Sequence, residues 1–197
     1  MKKWYVNLIL TVFMILFFQA ESMAKAEEKA EPGKPIQVSI WPSIQIYKPE
    51  TSIHGFRLNL CYGVNQDLSG LDIGLANKVK GNLKGLELGL ANFTDGNLHG
   101  WQESLVNIVK GRTAGLQTGL YNSSQEIKGF QAGILNTSQK TKGLQIGIIN
   151  HSVAMSGVQI GLFYNTTDTL RGLQIGLFNF IWNRKPIFFF PFVNFSF

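Results

Sequence analysis

"GLQIGIINHSVAMSGVQIGLFYN", from Gly143 to Asn165, states one phrase twice: glycine, aliphatic, glutamine, isoleucine, glycine, aliphatic, then asparagine. It contains no acid and no metal-ligand spacing. Glycines weaken an extended run unless something requires them. Leu144, Ile146 and Ile148 alternate with Gly143, Gln145 and Gly147. A period of two with branched aliphatics on one side is a strand pattern, and nothing follows a 3.6-residue period.

Working outward, the phrase is one of nine units. They open at Gly55, Gly70, Gly85, Gly100, Gly115, Gly129, Gly143, Gly157 and Gly172, 14 or 15 residues apart. Position 3 reads Arg57, Asp72 and Glu87, and then glutamine from Gln102 to Gln174. Position 5 is glycine except at Asn59 and Ser104; position 8 is asparagine except at Tyr62 and Tyr164, where Asn165 marks a one-residue slip. Positions 2, 4 and 6 are apolar except for Glu103 and Thr118. One face is aliphatic; the other is small and amide-rich.

Three of the longer units add a glycine in the connection, in "KGN" (Lys80–Asn82), "DGN" (Asp95–Asn97) and "KGR" (Lys110–Arg112). The shorter ones connect through pairs such as Gln125-Glu126 or Gln139-Lys140. Length coupled to glycine suits antiparallel hairpins. A strand of about 12 residues, tilted, crosses roughly 28 Å, the thickness of a hydrocarbon core. The sequence therefore predicts an all-β, up-and-down antiparallel meander of about 10–12 strands closing into a membrane barrel. The lead-in Ile36–Tyr47 would pair with the final strand Phe188–Phe197. Ile146 would face lipid and Gly147 the lumen.

The alternative is a β-solenoid with one coil per unit, in which stacked amides bond along the axis and the aliphatic face forms the core. Two features favour it. All connections are short, and position 7 grows bulky late in the chain, through Tyr121, Leu135, Ile149, Phe163 and Phe178.

The N-terminus reads as an address. Lys2 and Lys3 precede an apolar run from Leu8 to Phe18, and Ala24–Ala26 fits a cleavage site after Ala26. The domain reading is a signal peptide over 1–26, a disordered lead-in over 27–35 and one repeat domain over 36–197. The net charge is +6, with the basic residues scattered one per unit; no dense basic patch interleaved with aromatics points to nucleic acid. Cys61 is the single cysteine, so an exported domain of this kind relies on backbone pairing rather than disulfides.

Catalytic motifs are missing, and the chain reads as a non-enzyme with no catalytic, cofactor-binding or metal-ligating residue and no cofactor. His54, His99 and His151 fall in different units and read as surface or loop residues. Cys61 reads as a small buried or wall-lining side chain. Asp72 and Glu87 share position 3 in adjacent units, with Arg57 one unit before, and read as a partly solvated charge cluster. Six N-x-S/T triplets, including "NTS" at Asn136, read as turn chemistry.

The stretch "SIWPSIQIYKPETSIHGFRLNLCYGVNQDLSGLDIGLAN", the "GLQIGLFN"-type units and the closing "FPFVNFSF" resemble a family of bacterial surface repeat-containing proteins of spirochaetes and other Gram-negative groups. The resemblance covers roughly Ile40 to Phe197. It implies an exported protein of the cell surface or outer membrane, with outer-membrane lipid as its surroundings, and transfers no catalytic residue. A last strand ending in Phe197 resembles the terminal signal of outer-membrane barrels, which implies the barrel-assembly machinery as a partner. Two functions follow: a structural or small-solute-passing barrel, or a surface-attached solenoid that binds a macromolecular partner.

Overall fold

A computed structural model describes residues 33–197. The predicted signal peptide and most of the predicted lead-in lie outside the described residues. The regular structure is β throughout, in β1 (Lys34–Trp41), β2 (Ile44–Gln45), β3 (Ile53–Asn65), β4 (Leu68–Val79), β5 (Leu83–Leu88), β6 (Ala91–Thr94), β7 (Leu98–Glu103), β8 (Val106–Ile181) and β9 (Phe189–Ser196).

The units stack in parallel. β3 pairs with β4 so that Gly55 lies beside Gly70, β4 with β5 so that Gly70 lies beside Gly85, and β5 with β7 so that Gly85 lies beside Gly100. A second wall runs through the other half of each unit, where Asn77 pairs with Asn92 and Asn92 with Asn107. β5 and β6 are therefore two arms of one coil, and the corner between them is Gly89-Leu90. From Val106 the extended chain runs without a break through the later coils. The fold is a β-solenoid with one unit per coil.

This corrects the predicted barrel. Period-two alternation and glycine-bearing connections serve a coil corner as well as a hairpin. The strand of about 12 residues that hairpins would need is instead two shorter arms bent at positions 5 and 6. The lead-in does not meet the final strand either. β1 lies parallel on β3, placing Gln37 beside Arg57, and β2 folds back antiparallel on β1. At the other end β9 runs antiparallel along the last coil, Phe195 opposite Leu173 and Phe189 opposite Phe180. β1 begins at Lys34, within the stretch read as lead-in.

The alternative is also corrected in one respect, since the aliphatic face is not the core. Gln145, Asn150 and Ser152 are fully buried, whereas Ile146 and Ile148 are 37% and 39% exposed. Only the connection side holds apolar clusters, Leu68, Val79, Leu83, Leu98 and Val109 in the early coils and Met155, Leu170 and Ile181 in the late ones. Elsewhere the interior is amide and hydroxyl. Such an interior is stable only when nearly every polar group is bonded.

The opening glycines have a steric cause. Gly143 has φ of 140°, a region that L side chains avoid, and a Cβ there would run into the carbonyl oxygen of Gly129 one coil below. At Gly147 a Cβ would lie 2.5 Å from the Gly133 carbonyl oxygen one coil below and also 2.7 Å from the Asn136 amide nitrogen, which crosses from the opposite wall. The coil is too thin for two inward side chains at that level.

Candidate functional site

Three parts of the molecule could carry function: the interior ladders, the buried charge cluster that starts one of them, and the outer aliphatic wall.

The glutamine ladder runs one way. Gln174 donates to Gln159, Gln159 to Gln145, Gln145 to Gln131, each through Nε2 to Oε1 at 2.8 Å. It continues through Gln131, Gln117 and Gln102 and ends on the Glu87 carboxyl, 2.6 Å from Gln102 Nε2. The asparagine ladder runs the other way. Asn77 donates to Asn92, Asn122 to Asn136, Asn136 to Asn150, and so on to Asn179. Each middle asparagine also gives its second proton across the interior to the far wall. Asn136 donates to the Ile146 carbonyl at 2.8 Å and Asn150 to the Ile160 carbonyl at 2.9 Å.

Asn165 takes the rung expected from the slip in the eighth unit, donating to Asn179 and accepting from Asn150. The first unit solves the same problem in reverse. It carries asparagine at position 5 and glycine at 63, and a Cβ on Gly63 would overlap the Asn59 amide. Asn59 thus reaches the ladder from the opposite wall and donates to Asn77 at 2.7 Å.

The N-x-S/T triplets are corrected by the same geometry. Asn92, Asn136 and Asn150 lie in strands with buried side chains, as do Thr94, Ser138 and Ser152 two residues on. The triplet is strand alternation, with asparagine in, the middle residue out and the hydroxyl in.

Arg57, Asp72 and Glu87 do meet, as their shared position predicts, but the cluster is fully buried rather than partly solvated. Arg57 pairs with Asp72 through both Nε and Nη2, and its Nη2 lies 3.9 Å from Glu87 Oε1. Burial, and then the negative charge of Asp72, push the Glu87 carboxyl well above the usual carboxylate range, against the opposing effects of Arg57 and Gln102. Burial disfavours the charge on Arg57, but Asp72 and Glu87 outweigh it and hold the guanidinium above its ordinary value. One cation thus serves two buried carboxyls, of which Glu87 is pushed toward its neutral form. The cluster is closed to solvent and positions no group toward a substrate.

The histidines scatter as expected, with His54 and His99 exposed and His151 half-buried. Cys61 is exposed on the wall rather than buried. Among the described residues no group of three or more His, Cys, Asp or Glu could hold a metal. A shallow trough on the connection side is lined by His99, Arg112, Glu126 and Lys140. An Arg112–Glu126 ion pair at 2.9 Å occupies it.

The third part is the outer wall. Along one coil the outward residues are Lys142, Leu144, Ile146 and Ile148; the coil below repeats the order as Lys128, Phe130, Ala132 and Ile134, and the coil two above as Arg171, Leu173, Ile175 and Leu177. Stacking brings these into columns. Among the apolar members the sixth position of each unit is the most open, with Leu162 at 72%, Leu120 at 49% and Leu177 at 42%; Ile146, Ile160 and Ile175 lie at 37–39%, and Leu144 and Leu173 are half-buried. No family model, curated protein or solved structure matches the chain. The wall must be read from its own chemistry. Monomeric proteins rarely expose continuous apolar surface on this scale without a binding purpose. Glu103 and Thr118 interrupt the wall at one level, where Trp101 donates to the Thr118 hydroxyl at 2.8 Å. The barrel reading places Ile146 on the outside, as it is here, whereas the solenoid alternative places this face in the core.

Proposed function

We propose that this chain is an exported, surface-attached β-solenoid repeat protein whose work is binding rather than catalysis, with the aliphatic outer wall as its binding face. One observation carries this reading. The solenoid is inverted, with its amides buried and its aliphatics outside, so covering the wall is the main hydrophobic gain left to the folded chain. The N-terminal address and the resemblance to surface repeat proteins support export and attachment at the cell surface.

Fractionation tests it. The native chain is expected to sediment with envelope material, and the variant Ile146→Thr, Ile160→Thr, Ile175→Thr to be released while keeping its β circular-dichroism spectrum. Threonine retains the β-branched shape of isoleucine and removes much of its apolar surface. Equal retention of the folded variant would overturn the wall as the binding face.

A further inference from the structure

We infer that the partner of the outer wall is an anionic lipid surface on which the solenoid lies flat, without crossing it; this rests on the wall being the binding face. The cations bordering the wall favour this occupant. The residue before each opening glycine points outward at the edge of the aliphatic columns, and it is Lys84, Lys128, Lys142 or Arg171 in four coils, all exposed. Within the aliphatic columns the single acidic side chain is Glu103; the other two carboxylates of this arm, Asp72 and Glu87, point inward and are buried. An apolar surface bordered by flexible cations matches acyl chains bordered by phosphate headgroups, with the lysine stems lying over the apolar zone and the ammonium groups in the headgroup layer.

The C-terminal end adds a further strand. β9 extends the aliphatic wall, placing Phe195 beside Leu173 and Val193 beside Ile175, and the two remain 58% and 49% exposed. These side chains add apolar surface to the same face.

The backbone explains why the chain would lie on the bilayer. Along the wall the peptide groups pair from coil to coil, so lipid contact there orphans none of them. The free outer edges of the short β2 and of β9 retain unpaired groups that need water or headgroups, which bars immersion of the whole solenoid. A second copy is a poorer fit, because a wall this apolar and cationic offers its twin no complementary charge.

Vesicle sedimentation tests the inference, using the full chain with phosphatidylcholine vesicles that contain or lack phosphatidylglycerol. The N-terminal segment is common to all variants and cancels between them. Lys128→Gln, Lys142→Gln, Arg171→Gln is expected to weaken binding to the anionic vesicles on the order of a hundredfold, the size of effect for three surface cations, and to leave the weaker binding to neutral vesicles unchanged. The Ile146→Thr, Ile160→Thr, Ile175→Thr variant should lose binding to both. Anionic-vesicle binding unaffected by either set of substitutions would overturn the inference. So would concentration-dependent self-association through the wall without vesicle binding, which would assign the wall to a second copy. If the threonine variant leaves the envelope but the native chain ignores lipid, the binding face stands and the lipid partner falls.

Discussion

At Gly143 a single hydrogen atom decides the local structure. Its φ of 140° and the Gly129 carbonyl below it leave no room for a methyl group. Gly143→Ala is expected to cost at least about 3 kcal/mol in a denaturant titration, from backbone strain together with a clash against rigid backbone. Glu87 makes a pH-dependent prediction. Its folded-state carboxyl titrates well above an ordinary one because it is buried beside Asp72. Between the unfolded value, about 4.3, and the raised folded value the native state holds the extra proton, so stability falls as pH rises through that window. Glu87→Gln removes that dependence and still gives Gln102 an acceptor. The variant is expected to be more stable than the native chain at pH 8, with the difference shrinking toward pH 4. A difference that grew on acidification would contradict the protonated carboxyl.

At the scale of the coil, the two amide ladders are unequal. Asn150 accepts from Asn136 at 2.8 Å, donates to Asn165 at 2.9 Å and ties the far wall through Ile160 at 2.9 Å. Gln145 makes two bonds as short, to Gln131 and from Gln159, and its further contacts are 3.4 Å or longer. With about 1–3 kcal/mol for each orphaned buried group, Asn150→Leu should destabilise by more than Gln145→Leu, and urea midpoints of the two variants will show the order. Much of the coil was legible in the sequence. The period of the glycines fixed the repeat, and the alternation separated the amide face from the aliphatic one. The barrel reading already turns Ile146 outward and the glutamine face inward, and that orientation holds; the closure of each unit into a coil was not legible, because period-two alternation serves a two-armed coil as well as a hairpin. Signals for the coil were present: threonine or serine two residues after Asn92, Asn122, Asn136, Asn150 and Asn165, and the exchange of glycine and asparagine in the first unit. Both say that side chains from two walls share one narrow polar space. The buried charge cluster was legible as a neighbourhood but not in its burial, since Arg57, Asp72 and Glu87 taken alone are surface residue types.

At the scale of the molecule, each coil touches only its neighbours, so stability resides in interfaces between coils and in the two ends. β9 closes the last coil, where Asn194 donates to Gln174 Oε1 at 3.4 Å and Arg184 Nη1 donates to Asn194 Oδ1 at 2.6 Å. The outer edge of β9 is broken by Pro191 and by the register shift between Gly176 and Phe178, whereas deleting residues 183–197 would expose the uninterrupted edge of the last coil. Sedimentation velocity of that truncation is expected to show end-to-end oligomers that the full chain does not form. A monomeric truncation would show that β9 is not a cap.

The opposed senses of the two ladders have a consequence for length. In an α-helix every peptide dipole points one way, and the sum leaves partial charges at its ends. Here the glutamine amides donate toward the N-terminal end and the asparagine amides toward the C-terminal end. Each added coil contributes two side-chain dipoles that oppose each other along the axis. The stack can gain or lose a unit without building up an axial field, so the electrostatics of the interior set no preferred number of repeats.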